Sequence, residues 1–248
     1  MQDPTDRLDQ PPATNVDWIA IVFAMLFPTL VTLVYFEWLK DSEASFQQIA
    51  YGVGKVLQFG FPVVWVLIWY RHKLNRSDQR DSKQIWLGVG FGFLVVAAMF
   101  TVYFLLIAPS EIAADLTAMV KEKVGGLEVN SVWKYAGLGC FYTLGHSFLE
   151  EYYWRWFVFD YLKKFTTTLW ANVLSSLGFM AHHVILLAFF FGWSSPLTYL
   201  LSSCIAVGGM VWAWQFHRTG RLLAPWISHM IVDAGIFALG YFLIRDML

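Results

Sequence analysis

An all-α, polytopic transmembrane helical bundle of about seven or eight helices is the fold this sequence predicts, and three observations lead there. Hydrophobic residues make up 58% of the 248-residue chain and charged residues 14%, against about 25% charged in ordinary soluble domains. Residues 85–110 and 165–216 contain no Asp, Glu, Lys or Arg, and roughly 20 apolar residues suffice to cross about 30 Å of hydrocarbon. The short alternating segments of a β-barrel are missing. Open sheets cannot satisfy their edges in lipid, so helices must carry the backbone hydrogen bonds. A mean hydropathy of +0.52 agrees.

Residues 1–16 read as a short polar tail, with Pro4, Pro11 and Pro12, and residues 17–248 as the transmembrane domain. The first apolar run has no basic segment before it and no small-residue cleavage site behind it, so it reads as a retained span rather than a signal peptide. Spans are expected at approximately 18–36, 49–69, 85–107, 132–161, 169–191, 197–216 and 222–244. The fourth is too long for a simple crossing; it is tilted, or broken into two pieces that bring the helix count to eight. The run Gly192-Trp193-Ser194-Ser195-Pro196 separates the fifth and sixth. Between the third and fourth, Ile112, Leu116, Met119, Val120 and Val124 recur at helical spacing until Gly125-Gly126. That segment reads as an amphipathic helix on the non-cytoplasmic face, a connector resting on the membrane rather than a gate. No internal repeat and no second soluble domain is visible.

Charge in the connections sets the orientation. Arg71, Lys73, Arg76, Arg80 and Lys83 lie in the loop 70–84, Lys163-Lys164 two connections later, and Arg218 and Arg221 two later again. By alternation these loops share one face, predicted to be cytoplasmic together with the N-terminus. The opposite loops carry Lys40, Lys121 and Lys123 among more numerous acids. A net charge of −1 and a pI near 6.6 give no signal for nucleic acid. Cys140 and Cys204 both fall in apolar runs and read as small core residues, not a disulfide pair. The many Trp and Phe residues read as lipid-facing and interfacial mass.

Ionisable groups deep in a span are costly and mark function by default. Glu150, Glu151 and Arg155 occur in the fourth span, His182 and His183 in the fifth, and His229 and Asp233 in the seventh. Glu151 and Arg155 stand at i and i+4 in the acid-first order that favours pairing along a helix. Glu150 points about 100° away. His229 and Asp233 share a helix face, as do Phe179 and His183. Such residues together can supply a base for water, stabilisation of a developing oxyanion and a proton for a leaving group. A desolvated glutamate is a better base than a surface one, and imidazoles can relay or donate protons. Zinc held by Glu150, His183 and His229, with a water in the fourth position, is the alternative use of the same residue types. Taken singly, Glu151 with Arg155 is the ordinary structural ion pair of a membrane interior. His182 points about 100° away from His183 and reads as structural. His146, one turn before Glu150, reads as a packing or hydrogen-bonding residue.

Three motifs follow one another in these spans. Glu150-Glu151-Tyr152-Tyr153-Trp154-Arg155 reads EExxxR, Phe179-Met180-Ala181-His182-His183 reads FxxxH, and His229-Met230-Ile231-Val232-Asp233 reads HxxxD. In this order they resemble the signature of the CAAX prenyl protease and bacteriocin-processing (CPBP, or Abi) family of intramembrane endopeptidases. The resemblance covers residues 144–248; the first three spans match only in being hydrophobic. It implies an intramembrane peptidase acting on a membrane-associated peptide or protein, including a lipidated C-terminus, with the lipid bilayer as its surroundings. It implies Glu150 as activator of the attacking water with His183 as its partner, Glu151 and Arg155 as supports, and His229 and Asp233 as the oxyanion-stabilising pair. The family has been described both as glutamate-dependent and as zinc-dependent; the glutamate form is favoured here, with no cofactor, because adjacent carboxylates beside an arginine suit a dication poorly and no HExxH pairing is present. Asp233 departs from the asparagine of many relatives. An ionised carboxylate cannot donate to an oxyanion, so Asp233 is protonated, orients His229, or ligates a metal. A non-catalytic scaffold or immunity-type protein binding a peptide in the same cavity is the first competing reading. A transporter is the second, though the inverted repeats and paired broken helices common there are not found.

Overall fold

The structure, a computed structural model, describes residues 14–68 and 82–248. The polar tail through residue 13 and most of the basic loop 70–84 therefore lie outside the described residues. Within them the chain is helical, with no strand. The helices are α1 (Asn15–Trp38), α2 (Ala44–Ile68), α3 (Lys83–Ile107), α4 (Ile112–Gly125), α5 (132–162), α6 (Thr168–Phe191), α7 (Pro196–Thr219) and α8 (Leu223–Ile244). Six of them, α1, α2, α3, α6, α7 and α8, are long and apolar enough to cross a membrane. The protein is an integral membrane protein built as an all-α bundle.

Local chemistry sets the boundaries. Thr14 caps α1 through a reciprocal pair with Asp17, whose carboxylate accepts from the Thr14 N–H at 2.7 Å. Thr167 caps α6 through the Trp170 N–H. Ser195 caps α7, with Pro196 at its first position. Gly192 (φ 86°) ends α6 and Gly220 (φ 61°) ends α7, both in the positive-φ region that a side chain disfavours. The expected amphipathic segment is helix α4, packed against α8 and α6. Its Lys121 pairs with Asp246 at 2.5 Å beyond the end of α8, a hydrogen bond that holds that carboxyl below its usual range.

Helix α5 is not the pair of pieces that was one expected form of the fourth span. It neither breaks nor divides; it runs on through two π-helical stretches, Phe141–His146 and Tyr152–Phe159. A π turn keeps the backbone hydrogen-bonded while accommodating an extra residue, so the chain changes the rotation of its side chains without leaving the helix. α5 touches α1, α2, α6, α7 and α8. Its Tyr153, Trp154, Arg155, Val158 and Phe159 are buried. The exterior is apolar: Trp133 is 87% exposed and Leu67 73%. That distribution is stable in hydrocarbon, where polar groups must turn inward. Cys140 and Cys204 are free, as expected, but both lie on the exterior rather than in the core. A small apolar side chain costs nothing against lipid.

Glycines let the helices around α5 approach. On α3, a side chain at Gly88 would meet the Ala224 carbonyl oxygen at 2.7 Å, and one at Gly92 the Ser228 carbonyl oxygen at 2.9 Å. This small-xxx-small face brings α3 against the backbone of α8. On α6, Gly178 does the same for the ring of Trp154, which would stand 2.8 Å from a Cβ.

Candidate active site

Four helices deliver the buried polar groups to one place. Glu150 and Glu151 enter from the middle of α5, where the chain passes from one π-helical stretch to the next. Glu150 Oε1 lies 3.8 Å from His146 Nε2 and 3.6 Å from His182 Nε2, and its Oε2 lies 3.7 Å from His229 Nε2. One carboxylate thus faces three imidazoles from three helices. The separations exceed a direct hydrogen bond.

Glu151 serves a different set. Its Oε1 accepts from His229 Nδ1 at 2.8 Å, and its Oε2 lies 3.1 Å from Arg155 Nε. The carboxylate can only accept, so Nδ1 carries the hydrogen and Nε2 of His229 turns toward Glu150 and toward Asp233 Oδ1, 3.6 Å away. The Arg155 guanidinium is held between the rings of Phe179 (4.6 Å) and Trp212 (5.1 Å). Its Nη2 also donates to the Gly209 carbonyl at 3.5 Å. Trp212 stacks on His229 at 4.3 Å and 14°, and its indole N–H donates to Ser228 Oγ at 3.0 Å.

Helix α6 contributes Phe179, His182 and His183. His183 Nδ1 donates to the Phe179 carbonyl at 2.9 Å, which leaves the lone pair on Nε2. His182 lies parallel to the Trp154 ring (5.8 Å, 6°). One ligand atom from each of Glu150, His182 and His183 falls within 4.8 Å of the others. This compact set differs from the expected metal triad by holding His182 in place of His229, whose Nδ1 is engaged by Glu151.

All the expected residues, Glu150, His183, His229 and Asp233 with Glu151 and Arg155, lie in this region. Their partners differ from the expected ones. The imidazoles within 4 Å of Glu150 are His146, His182 and His229, and His183 stands farther off. The 100° offset between consecutive helical residues does not separate His182 from His183, because both side chains reach the α5–α6 contact and their rings lie 4.1 Å apart. Sequence reasoning also passed over Trp212 and Lys55. Trp212 stands in a charge-free run in a chain with 13 tryptophans, so nothing distinguished it. Lys55 did carry a signal: it is an ionisable residue well inside the second span.

Buried glutamates, histidines and an arginine gathered inside a helical membrane bundle are groups able to do acid–base chemistry away from bulk water. Residues 132–235 match the model of the family described as Rce1-like, type II CAAX prenyl endopeptidase, so this stretch is similar to that family. The match takes in α5, α6, α7 and the first half of α8, the helices that carry the site. No curated protein and no solved structure matches the chain.

Proposed function

We propose that this protein is an intramembrane endopeptidase that hydrolyses a peptide bond near the C-terminus of a membrane-delivered peptide or protein, lipidated substrates included, with Glu150 as the base for water. The observation that carries this reading is Glu150 itself, buried and faced by His146, His182 and His229 at 3.6–3.8 Å. Those gaps exceed a direct hydrogen bond and leave the carboxylate oxygens free to accept from a water.

The Glu150 carboxylate takes a proton from water while the water oxygen forms a bond to the peptide carbonyl carbon. The negative charge moves to the carbonyl oxygen, and the imidazolium form of His229 donates to it through Nε2. Glu151, fixed by Arg155, orients that ring and stabilises its charged form. Asp233, 3.6 Å from the same nitrogen, helps to hold the ring. As the C–N bond breaks, the proton held by Glu150 passes to the leaving amine, directly or through His182 or His146. A carboxylate and an amine leave. The basic loops are placed on the cytoplasmic face, from the bias of Lys and Arg between spans.

Zinc is the second reading, favoured by one observation: Glu150, His182 and His183 offer three donors within 4.8 Å of one another. The donor types suit a catalytic zinc with an open fourth position, where it would lower the pKa of a bound water. His183 has the hydrogen-bonded second nitrogen common in such sites, through the Phe179 carbonyl at 2.9 Å; among the described residues no partner stands as close to either ring nitrogen of His182, whose Nε2 lies 3.6 Å from Glu150. That mismatch supports the glutamate-activated water reading.

The test is purified protein in detergent or nanodiscs with an S-farnesylated peptide ending in a free carboxylate, product release being followed by mass spectrometry. Cleavage by the wild type and its loss in Glu150→Gln are expected. A Glu150→Gln variant that cleaves at the wild-type rate would remove Glu150 from the mechanism.

A further inference from the structure

Lys55 lies on α2, half-buried, one turn from Tyr51 and one from Phe59 on the same helix face. Its ammonium sits 5.3 Å from the Tyr51 ring and 5.5 Å from the Phe59 ring. Among the described residues no carboxylate lies within ion-pair distance of it, although Glu150, His146 and His182 are within its electrostatic reach. An intramembrane lysine is costly, and such residues face a pathway or a partner. The two cation–π contacts offset only part of the cost of holding a charge inside a membrane helix.

Its position points to the missing anion. The Phe59 ring, in contact with the ammonium, stands 6.0 Å from the His146 ring, and His146 Nε2 is 3.8 Å from Glu150. The steps from Lys55 through Phe59 to His146 match three to four extended residues at about 3.3–3.6 Å each. On the other side, the Tyr51 ring lies 4.6 Å from that of Tyr35, tilted by 40°, and Tyr35 lines a cavity of ≈ 240 Å³ near α4. Lys55 therefore stands between that cavity and Glu150, one short peptide away from the water-activating group.

Resting on the peptidase reading above, we propose that Lys55 is the receptor for the C-terminal carboxylate of the substrate, and so measures off the short tail that is cleaved. The ammonium and carboxylate form a charge-assisted hydrogen bond in a medium of low dielectric. Lys55 is thereby a specificity-determining residue. It restricts the enzyme to bonds a few residues from a free C-terminus and excludes internal bonds and amidated ends.

The experiment uses two S-farnesylated probes ending in Cys-Val-Ile-Met, one with a free carboxylate and one with a C-terminal amide. Binding is measured on full-length Glu150→Gln protein in nanodiscs, where no cleavage intervenes. The carboxylate probe should bind about 10- to 100-fold more tightly, the worth of a hydrogen bond to a charged group. Lys55→Arg should keep this preference and Lys55→Met should lose it. Carbodiimide activation of the bound carboxylate probe should form a zero-length amide to Lys55, located by mass spectrometry; this measurement needs no change at Lys55. Equal binding of the two probes, binding of neither, or cross-linking confined to Lys40, Lys123 or Lys134 would overturn the proposal. The same probes on wild-type protein separate the two conclusions. Absence of cleavage with the carboxylate preference intact would sink the peptidase reading and leave Lys55 as the carboxylate receptor. Equal cleavage of both probes would do the reverse.

Discussion

His229 and Glu151 are 78 residues apart in the chain, and the imidazole Nδ1 donates to the carboxylate at 2.8 Å. This bond decides what His229 can do. With Nδ1 committed, Nε2 is the atom facing Glu150 and Asp233. The same carboxylate is tied to Arg155, which is tied to Phe179, Trp212 and Gly209. The second glutamate of the EExxxR motif thus positions a histidine on another helix.

Glu151→Gln is expected to lower stability more than it lowers the chemical step. An amide oxygen still accepts from His229, but the buried Arg155 loses its counter-charge, and breaking a buried pair costs about 3–5 kcal/mol. Turnover per folded molecule should fall about 10- to 100-fold, as for other changes that loosen an orienting partner. Adding Arg155→Met should recover part of the stability lost by the single variant. Thermal unfolding of the four proteins of this cycle measures the coupling; additive losses would show that the two side chains do not act as a pair.

Glu150→Gln should abolish cleavage, by at least about 10³-fold, with little change in unfolding temperature. The side chains are isosteric, and Glu150 makes only long contacts of 3.6–3.8 Å. A loss of general-base function with packing intact is what separates a catalytic carboxylate from a structural one. Parallel loss of fold and activity would return Glu150 to the structural class.

Metal content separates the two mechanisms. Protein purified without added metal and dialysed against a chelator should keep its activity, and Asp233→Asn should retain it within about 10-fold, because an amide can still donate beside His229. Stoichiometric zinc that leaves with activity on chelation and restores it on return would install the Glu150, His182 and His183 set as ligands.

The approach of α3 to α8 can be tested with two neighbouring glycines. A Cβ at Gly92 would stand 2.9 Å from the Ser228 backbone oxygen, whereas one at Gly90 meets nothing within 4 Å. Gly92→Ala should destabilise by about 1–3 kcal/mol, the usual cost of overpacking. It should also impair cleavage, because α8 carries His229. Gly90→Ala should be neutral or slightly stabilising through helix propensity. Equal effects of the two changes, read by unfolding in detergent, would show that the close approach does not hold α8 in place.

Orientation is open to labelling. Single cysteines at Lys164 and Arg218 should react with an impermeant thiol reagent from one face, and a cysteine at Lys40 from the other, in a background lacking Cys140 and Cys204. Labelling of 164 and 218 from opposite faces would refute the alternation of α6 and α7.

Long apolar runs determined the bundle without any tertiary information. Lipid leaves the backbone no other partner, so 20 apolar residues read as a helix whatever surrounds them. The breaker residues Gly192, Ser195 and Pro196 act within their own turns and were equally open to reading. The three motifs named the helices that would carry ionisable groups. Which nitrogen faces which oxygen was decided only by packing. His182 rather than His183 approaches Glu150 most closely, His229 is held by Glu151, and Trp212 covers both His229 and Arg155. Each of these depends on the rotation and depth of whole helices, which follow from contacts such as Gly178 on Trp154 and Gly92 on Ser228. Those contacts join residues far apart in the chain, and no local periodicity encodes them.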